Sequence, residues 1–221
     1  MTRVAFTSQI RELRDDVVAM ASMVDKAIAR ATQALRQQDI NLSREIIAAD
    51  QLINDHRWRT EERALLIIAT QAPMASDLRT IAAVISIVTD LERMADHAAG
   101  IAKIVIETSN EPLLKPLVDI PRMSELARAM LADSISSFIE SDPDAAREVA
   151  LRDEEVDRLY DQIFRELLTY MMADTATINR ATRLLWAAHN IERIADRVTN
   201  ICERVVFAVT GSMEEIAVSA D

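Results

Sequence analysis

Apolar residues recur in steps of three and four along almost the whole chain. Leu13, Val17, Met20, Val24, Ala27, Ala31 and Leu35 mark one face of the first stretch, the spacing of an amphipathic helix with a bundle seam. This predicts a first helix over 7–37, interrupted at Gln37-Gln38-Asp39-Ile40-Asn41, and a second over 42–70, stopped by Pro73. Ser76 or Asp77 can cap a third helix over 77–108. Its seam is Val84, Ile87, Leu91, Met94, Ala98, Ile101 and Val105. A fourth helix is expected over 122–140. A fifth, over 143–172, has Asp142 as its cap and Pro143 at its first position. A sixth opens at Asp174-Thr175-Ala176-Thr177 and ends near Gly211; its seam is Leu184, Ala187, Ile191, Ile194, Val198, Ile201 and Val205.

Each residue of that last seam lies 100 positions after its counterpart in the third helix. Leu91-Glu92-Arg93-Met94-Ala95-Asp96 returns at the same offset as Ile191-Glu192-Arg193-Ile194-Ala195-Asp196. Asp50-x-x-Ile53 returns as Asp153-x-x-Val156, 103 positions on, so the connection before the third helix of the second half is three residues shorter. The reading is an all-α protein of two pseudo-symmetric three-helix bundles with six long helices. Residues 1–110 form the first repeat and 122–221 the second. Residues 111–121, with Pro112, Pro116 and Pro121, link them.

Composition narrows the picture. Two glycines in 221 residues leave no room for a glycine-rich phosphate loop or a strand-and-turn fold. A formal charge of −11 opposes nucleic-acid binding and direct docking on anionic lipid. One cysteine, Cys202, excludes an intrachain disulfide and a cysteine-rich zinc site; its apolar neighbours imply a packed thiol. No uninterrupted apolar stretch is long enough to span a membrane, and the first residues do not read as a secretory signal. A cytoplasmic chain is expected. Met20, Met23, Met171 and Met172 read as core filling.

The chemistry sits in the repeated acids. Glu and Asp four apart lie one turn apart on one helix face. Glu92 and Asp96 continue a stripe begun by Ile81, Ile85 and Val88, beside the seam. Carboxylates at such an edge repel one another unless a cation or protons lie between them. Glu192, Asp196 and Asn200 extend the second stripe, with Gly100 standing where Asn200 would fall in the first half; His189 lies one turn before Glu192. Asp50 and Asp153, followed by Asn54 and Asp157, are candidate contributions from the middle helices. An all-oxygen set suits Mg²⁺, Ca²⁺ or Mn²⁺, and an added imidazole admits Fe or Zn. Spacing equally allows a metal-free lattice of ion pairs built with Arg93 and Arg193. With no Glu-x-x-His and only three histidines, no catalytic centre is expected; a metal-dependent enzyme of unknown substrate is the weaker alternative, beside a metal-free helical scaffold.

Four segments resemble the PhoU family: Gln71-Ala72-Pro73-Met74-Ala75-Ser76-Asp77-Leu78-Arg79, Leu91-Glu92-Arg93-x-x-Asp96, Leu167-Leu168-Thr169-Tyr170-Met171-Met172, and Ile191-Glu192-Arg193-Ile194-Ala195-Asp196-Arg197-x-x-Asn200-Ile201. The resemblance implies a non-enzymatic, cytoplasmic negative regulator of phosphate uptake and phosphate-starvation signalling. As implied partners it carries a phosphate ABC transporter and a sensor histidine kinase, with membrane association only through them; a homodimer is compatible with it. It also implies a metal-binding acidic motif in each half, falling on Glu92 with Asp96 and on Glu192 with Asp196.

Overall fold

The computed structural model describes residues 3–216. These form α1 (Arg3–Gln37), α2 (Ile40–Gln71), α3 (Ala75–Thr108), α4 (Asp119–Glu140), α5 (Pro143–Ala150), α6 (Asp153–Ala173) and α7 (Ile178–Thr210), with one 3-10 turn at Thr175–Thr177. No strand occurs among the described residues, and none of their helices is long and apolar enough to cross a membrane.

The seams of α3 and α7 are buried at every predicted position. In α1 the seam shifts: Ile28 is buried and Ala27 only partly so. Leu13, Val17, Met20, Val24, Ile28, Ala31 and Leu35 then repeat over eleven residues, close to the natural helical period, so α1 needs little supercoil to keep them inward. Cys202 is fully buried, and burial pushes its thiol up to about 12. Met20 is core as expected, whereas Met172 lies 79% exposed at the end of α6.

Matching turns start the two middle segments. Gln38 (φ 53°) and Ser141 (φ 57°) both adopt the left-handed conformation. The residues after them donate backbone N–H groups to Ala34 and Ser137. Asp39 then accepts from the Leu42 amide, and Asp142 from those of Asp144 and Ala145. Each therefore caps the helix that follows. The third helix is capped differently from the expectation: Met74 is its N-cap without a side-chain bond, and Asp77 sits in its first turn.

The expected fifth helix is broken. α2 runs straight past Ala48 and Ala49, but the corresponding Leu151 and Arg152 form a turn between α5 and α6. Two alanines favour continued helix, whereas Arg152 pairs with Asp133 on α4. The break sets Asp153 at the head of α6, only 5% exposed. The linker is tied down as well. Lys115 is buried against Glu166 and Asp119, and Leu113, Leu114 and Leu117 pack on the core.

α3 and α7 meet at the centre of the molecule and run antiparallel. Arg79 Nε donates to the Ala208 carbonyl, Asn200 reaches Asp90, His97 meets Asn190, and Arg183 pairs with Glu107. α1 and α2 pack on α3; α4, α5 and α6 pack on α7; α1 also meets α4. Asn200 lies 3.4 Å from Asp90, while Asn190 lies against Gly100. Adding 100 to each α3 number exchanges these two pairs, so the duplicated halves face each other across a local two-fold axis.

A Cβ on Gly100 would stand 3.0 Å from Asn190 Oδ1, so the helices approach closely there. Gly100→Leu should lower the melting temperature by about 2–12 °C, from roughly 1–3 kcal/mol of overpacking. Gly100→Ala should stay within about 2 °C of the parent, because gained helix propensity offsets a small shift of the Asn190 amide. Thermal melts followed by circular dichroism check both.

Candidate metal centre

The two acidic groups lie where α2 meets α3 and where α6 meets α7. Glu92 and Glu192 are tucked into these contacts, with side chains 13% and 19% exposed. Asp196 is half-buried at the rim and Asp96 is exposed. The stripe reading holds in the first half: Ile81 and Val88 are buried, Ile85 is partly buried, and Glu92 follows them. Asp50 of α2 and Asp153 of α6 lie close enough to these acids to feel their charge.

In the second half the acids are poorly satisfied. Asp153 Oδ1 and Glu192 Oε2 are buried without a hydrogen-bond partner. His189 Nδ1 lies 3.1 Å from Glu192 Oε2 but is not aligned for a hydrogen bond, and its ring is half exposed. Burial pushes the Asp153 carboxyl up to about 7, aided by Asp157, Asp196 and Glu192. Burial, then Asp196, brings Glu192 to about 7 as well. Asp157 is raised by burial and by Asp196. Arg193 donates to Asp196 at 2.8 Å along its own helix. Tyr160 faces His189 with ring centroids 6.0 Å apart.

The first half is arranged differently. Arg57 donates through Nη1 to Glu92 Oε1 at 3.0 Å and through Nε to Glu61 Oε1 at 2.8 Å. Thr89 adds a hydroxyl bond to Glu61 at 3.2 Å. This clasp between α2 and α3 is an ion-pair lattice, but Arg57 builds it rather than the adjacent Arg93. Asp50 is half-buried and accepts from the Asn54 amide at 3.4 Å; its Oδ1 is unpartnered. Burial raises its pKa, Asp96 and Glu92 add to the rise, and Lys103 opposes it. Beside Asp50 a cavity of about 180 Å³ opens between α1 and α2, lined by Met23, Lys26, Ile46 and Ile53 among others.

Asn200 does not join the acids. Its amide turns to Asp90 in the α3–α7 contact, where Arg197 also stands 3.5 Å from Asp90. Gly100 likewise faces Asn190 across that contact. Both positions serve the two-fold packing, because one more turn along the stripe has rotated away from the middle helix. Among the described residues, no three His, Cys, Asp or Glu side chains already converge on one coordination point. The donor set still fits a hard cation. It offers buried carboxylate oxygens with no donor, neighbouring acids that raise the cost of ionising them, and an imidazole at the edge.

Sequence reasoning missed Arg57 and Glu61, and Asp90 with its partners. The first pair continues the 103-residue offset beyond Asp50 and Asn54, where Arg57 answers to Tyr160 and Glu61 to Phe164. Asp90 answers to Asn190 at the 100-residue offset.

The family model described as PhoU domain matches twice, over residues 17–105 and 120–205. The phosphate-specific transport system accessory protein PhoU homolog of Clostridium acetobutylicum is 38% identical over 217 residues, covering 98% of this chain and 99% of that protein. The homolog from Aquifex aeolicus is 42% identical over 185 residues, covering 84% of each. The crystal structure of the phosphate transport system regulatory protein PhoU from Streptococcus pneumoniae aligns with a TM-score of 0.88 at 32% identity, over 95% of this chain and 99% of that one. PhoU from Pseudomonas aeruginosa aligns at 0.89 and 33%, over 94% and 100%. Matched along both repeats by sequence and nearly end to end in three dimensions, this chain belongs to the PhoU family.

Proposed function

We propose that this chain is a non-catalytic accessory protein of a phosphate-specific transport system. In this reading it restrains phosphate uptake and phosphate-starvation signalling from the cytoplasm, as an adaptor between a phosphate ABC transporter and a sensor histidine kinase. The observation that carries the proposal is the near-complete overlap with the Clostridium acetobutylicum accessory protein, over 98% of this chain and 99% of that one. The outer helix faces support docking. Leu52, Trp58, Leu65 and Leu66 of α2 are exposed, as are Phe164, Leu168 and Met172 of α6. Exposed apolar clusters of this kind mark contact surfaces. Membrane attachment would be indirect, through the transporter or kinase.

The acidic centre is the second part of the proposal. A divalent or transition metal ion, Mg, Mn, Fe or Zn, would be held by Glu192, Asp196 and Asp153, with Asp157 and His189 beside them. Its role would be structural: a positive charge that offsets the mutual repulsion of carboxylates on α6 and α7. The corresponding first-half residues are Glu92, Asp96 and Asp50.

In a bacterial strain lacking its own PhoU-family gene, expression of this chain should restore repression of a phosphate-starvation reporter at high phosphate. Reporter activity unchanged from the deletion strain would refute the regulatory reading.

The metal reading makes a pH-dependent prediction. A carboxyl raised to about 7 in the fold keeps a proton that the unfolded chain releases near pH 4. Its contribution is therefore present at low pH and lost as pH rises through about 7. In chelator, Asp153→Asn should match the parent near pH 4. At pH 8 it should be more stable by on the order of 2 kcal/mol, roughly 4–8 °C. At pH 8, Mn²⁺ should raise the melting temperature of the parent and leave Asp153→Asn unchanged. An equal rise in both would remove Asp153 from the site.

A further inference from the structure

The two acidic centres share a backbone plan but differ in charge at four matching places. Asn54 of the first half answers to Asp157, Arg57 to Tyr160, Lys103 to Glu203, and Glu61 to Phe164. The first three make the second half more negative and outweigh the fourth, which removes one acid from it. Arg57 is the decisive one. Its guanidinium bridges Glu61 and Glu92, across α2 and α3, through two different nitrogens at 2.8 and 3.0 Å. It is permanently charged and planar, so it binds both carboxylates with fixed geometry. Trp58 packs against its outer face, with the ring centroid 5.0 Å from the guanidinium carbon.

No such side chain exists at the matching place. Tyr160 and Phe164 occupy it, and neither brings a positive charge to Glu192. Arg193 is engaged with Asp196 three residues along its own helix, 42% exposed. Asp153 is 5% exposed, its Oδ1 has no hydrogen-bond partner, and Asp157, Asp196 and Glu192 surround it. Asp50, its counterpart, also has one unpartnered oxygen, but it accepts from Asn54, lies near Lys103 and borders a cavity of about 180 Å³ that water can enter.

We propose that this chain takes up one metal ion and not two: the second half binds it at Asp153 and Glu192, while Arg57 stands in the cation's place in the first half. This rests on the metal reading given above and adds which half is competent. A metal at Glu92 would have to expel a half-buried guanidinium and break both of its charge-assisted bonds. Glu192 carries no lysine or arginine to expel, since the nearby Arg193 is held by Asp196.

Counting Mn²⁺ bound to the full chain, after chelator treatment and dialysis, tests this by titration calorimetry and by elemental analysis. The parent should hold one ion per chain. Glu92→Gln should still hold one, and Glu192→Gln or Asp153→Asn should hold none. Arg57→Met frees Glu61 and Glu92 and should raise the count to two. Circular dichroism of each variant establishes that it is folded. Two ions in the parent would overturn the asymmetry and leave the metal reading standing; no ion would overturn both. A folded Arg57→Met variant that stays at one would overturn the role given to Arg57.

Discussion

The packing of α3 against α7 dictates where every other element sits. Each of these helices buries a full seam and a second stripe, because each has its twin on one side and its own companions on the other. The contact is self-complementary. Asp90 meets Asn200 and Arg197 near one end, and Asn190 meets Gly100 and His97 near the other. Burial, with the fields of Arg197 and Arg193, lowers the His97 pKa against the opposing Asn190 bond and Asp96. Polar pairs placed off-centre fix the register of two long helices more firmly than an apolar seam does, since a slide by one turn would strand them without partners. With that register set, Glu92 and Glu192 must both project toward the middle segments, α2 and α6.

Much of this was legible in the sequence because helical period and duplication are both visible there. The seams of α3 and α7, the matched turns at Gln38-Asp39 and Ser141-Asp142, and the inward tilt of Glu92 and Glu192 all follow from spacing. Three features did not. The break at Leu151–Arg152 depends on Arg152 reaching Asp133 on another helix, and a long side chain leaves no periodic trace. Asn200 shares the acidic stripe by a simple four-residue step, yet 3.6 residues per turn carries the third member of such a stripe round to the neighbouring helix. Met172 reads as core by composition, but it stands 79% exposed in the last turn of α6.

The clasp in the first half was hidden for a related reason. Arg57 lies 35 positions from Glu92, and only the packing of α2 on α3 brings them together. The adjacent arginines suggested a lattice built from Arg93 and Arg193. In the second half Arg193 does bind Asp196, but along the helix surface, where such a pair contributes little. The bridge between helices in the first half comes from the middle segment. The two readings that spacing left open, ion-pair lattice and cation site, therefore need not compete for one location, since the halves are not equivalent in charge.

This non-equivalence bears on what the second acidic group is for. An unpartnered buried carboxylate is costly, and burial has moved both Asp153 and Glu192 to about 7. If the fold alone demanded acids there, the first half would carry the same burden. The first half carries a lighter one: on the same backbone plan Arg57 pairs with Glu92, while Asp50 keeps one unpartnered oxygen and a pKa raised by burial that Lys103 only opposes. The chain thus contains its own control. A stable helix contact of this geometry can be made with its charges met by its own side chains. The second contact leaves five acids, Asp153, Asp157, Glu192, Asp196 and Glu203, without a lysine or arginine at the positions matching Arg57 and Lys103. Their mutual repulsion is the charge that the cation proposed above would offset.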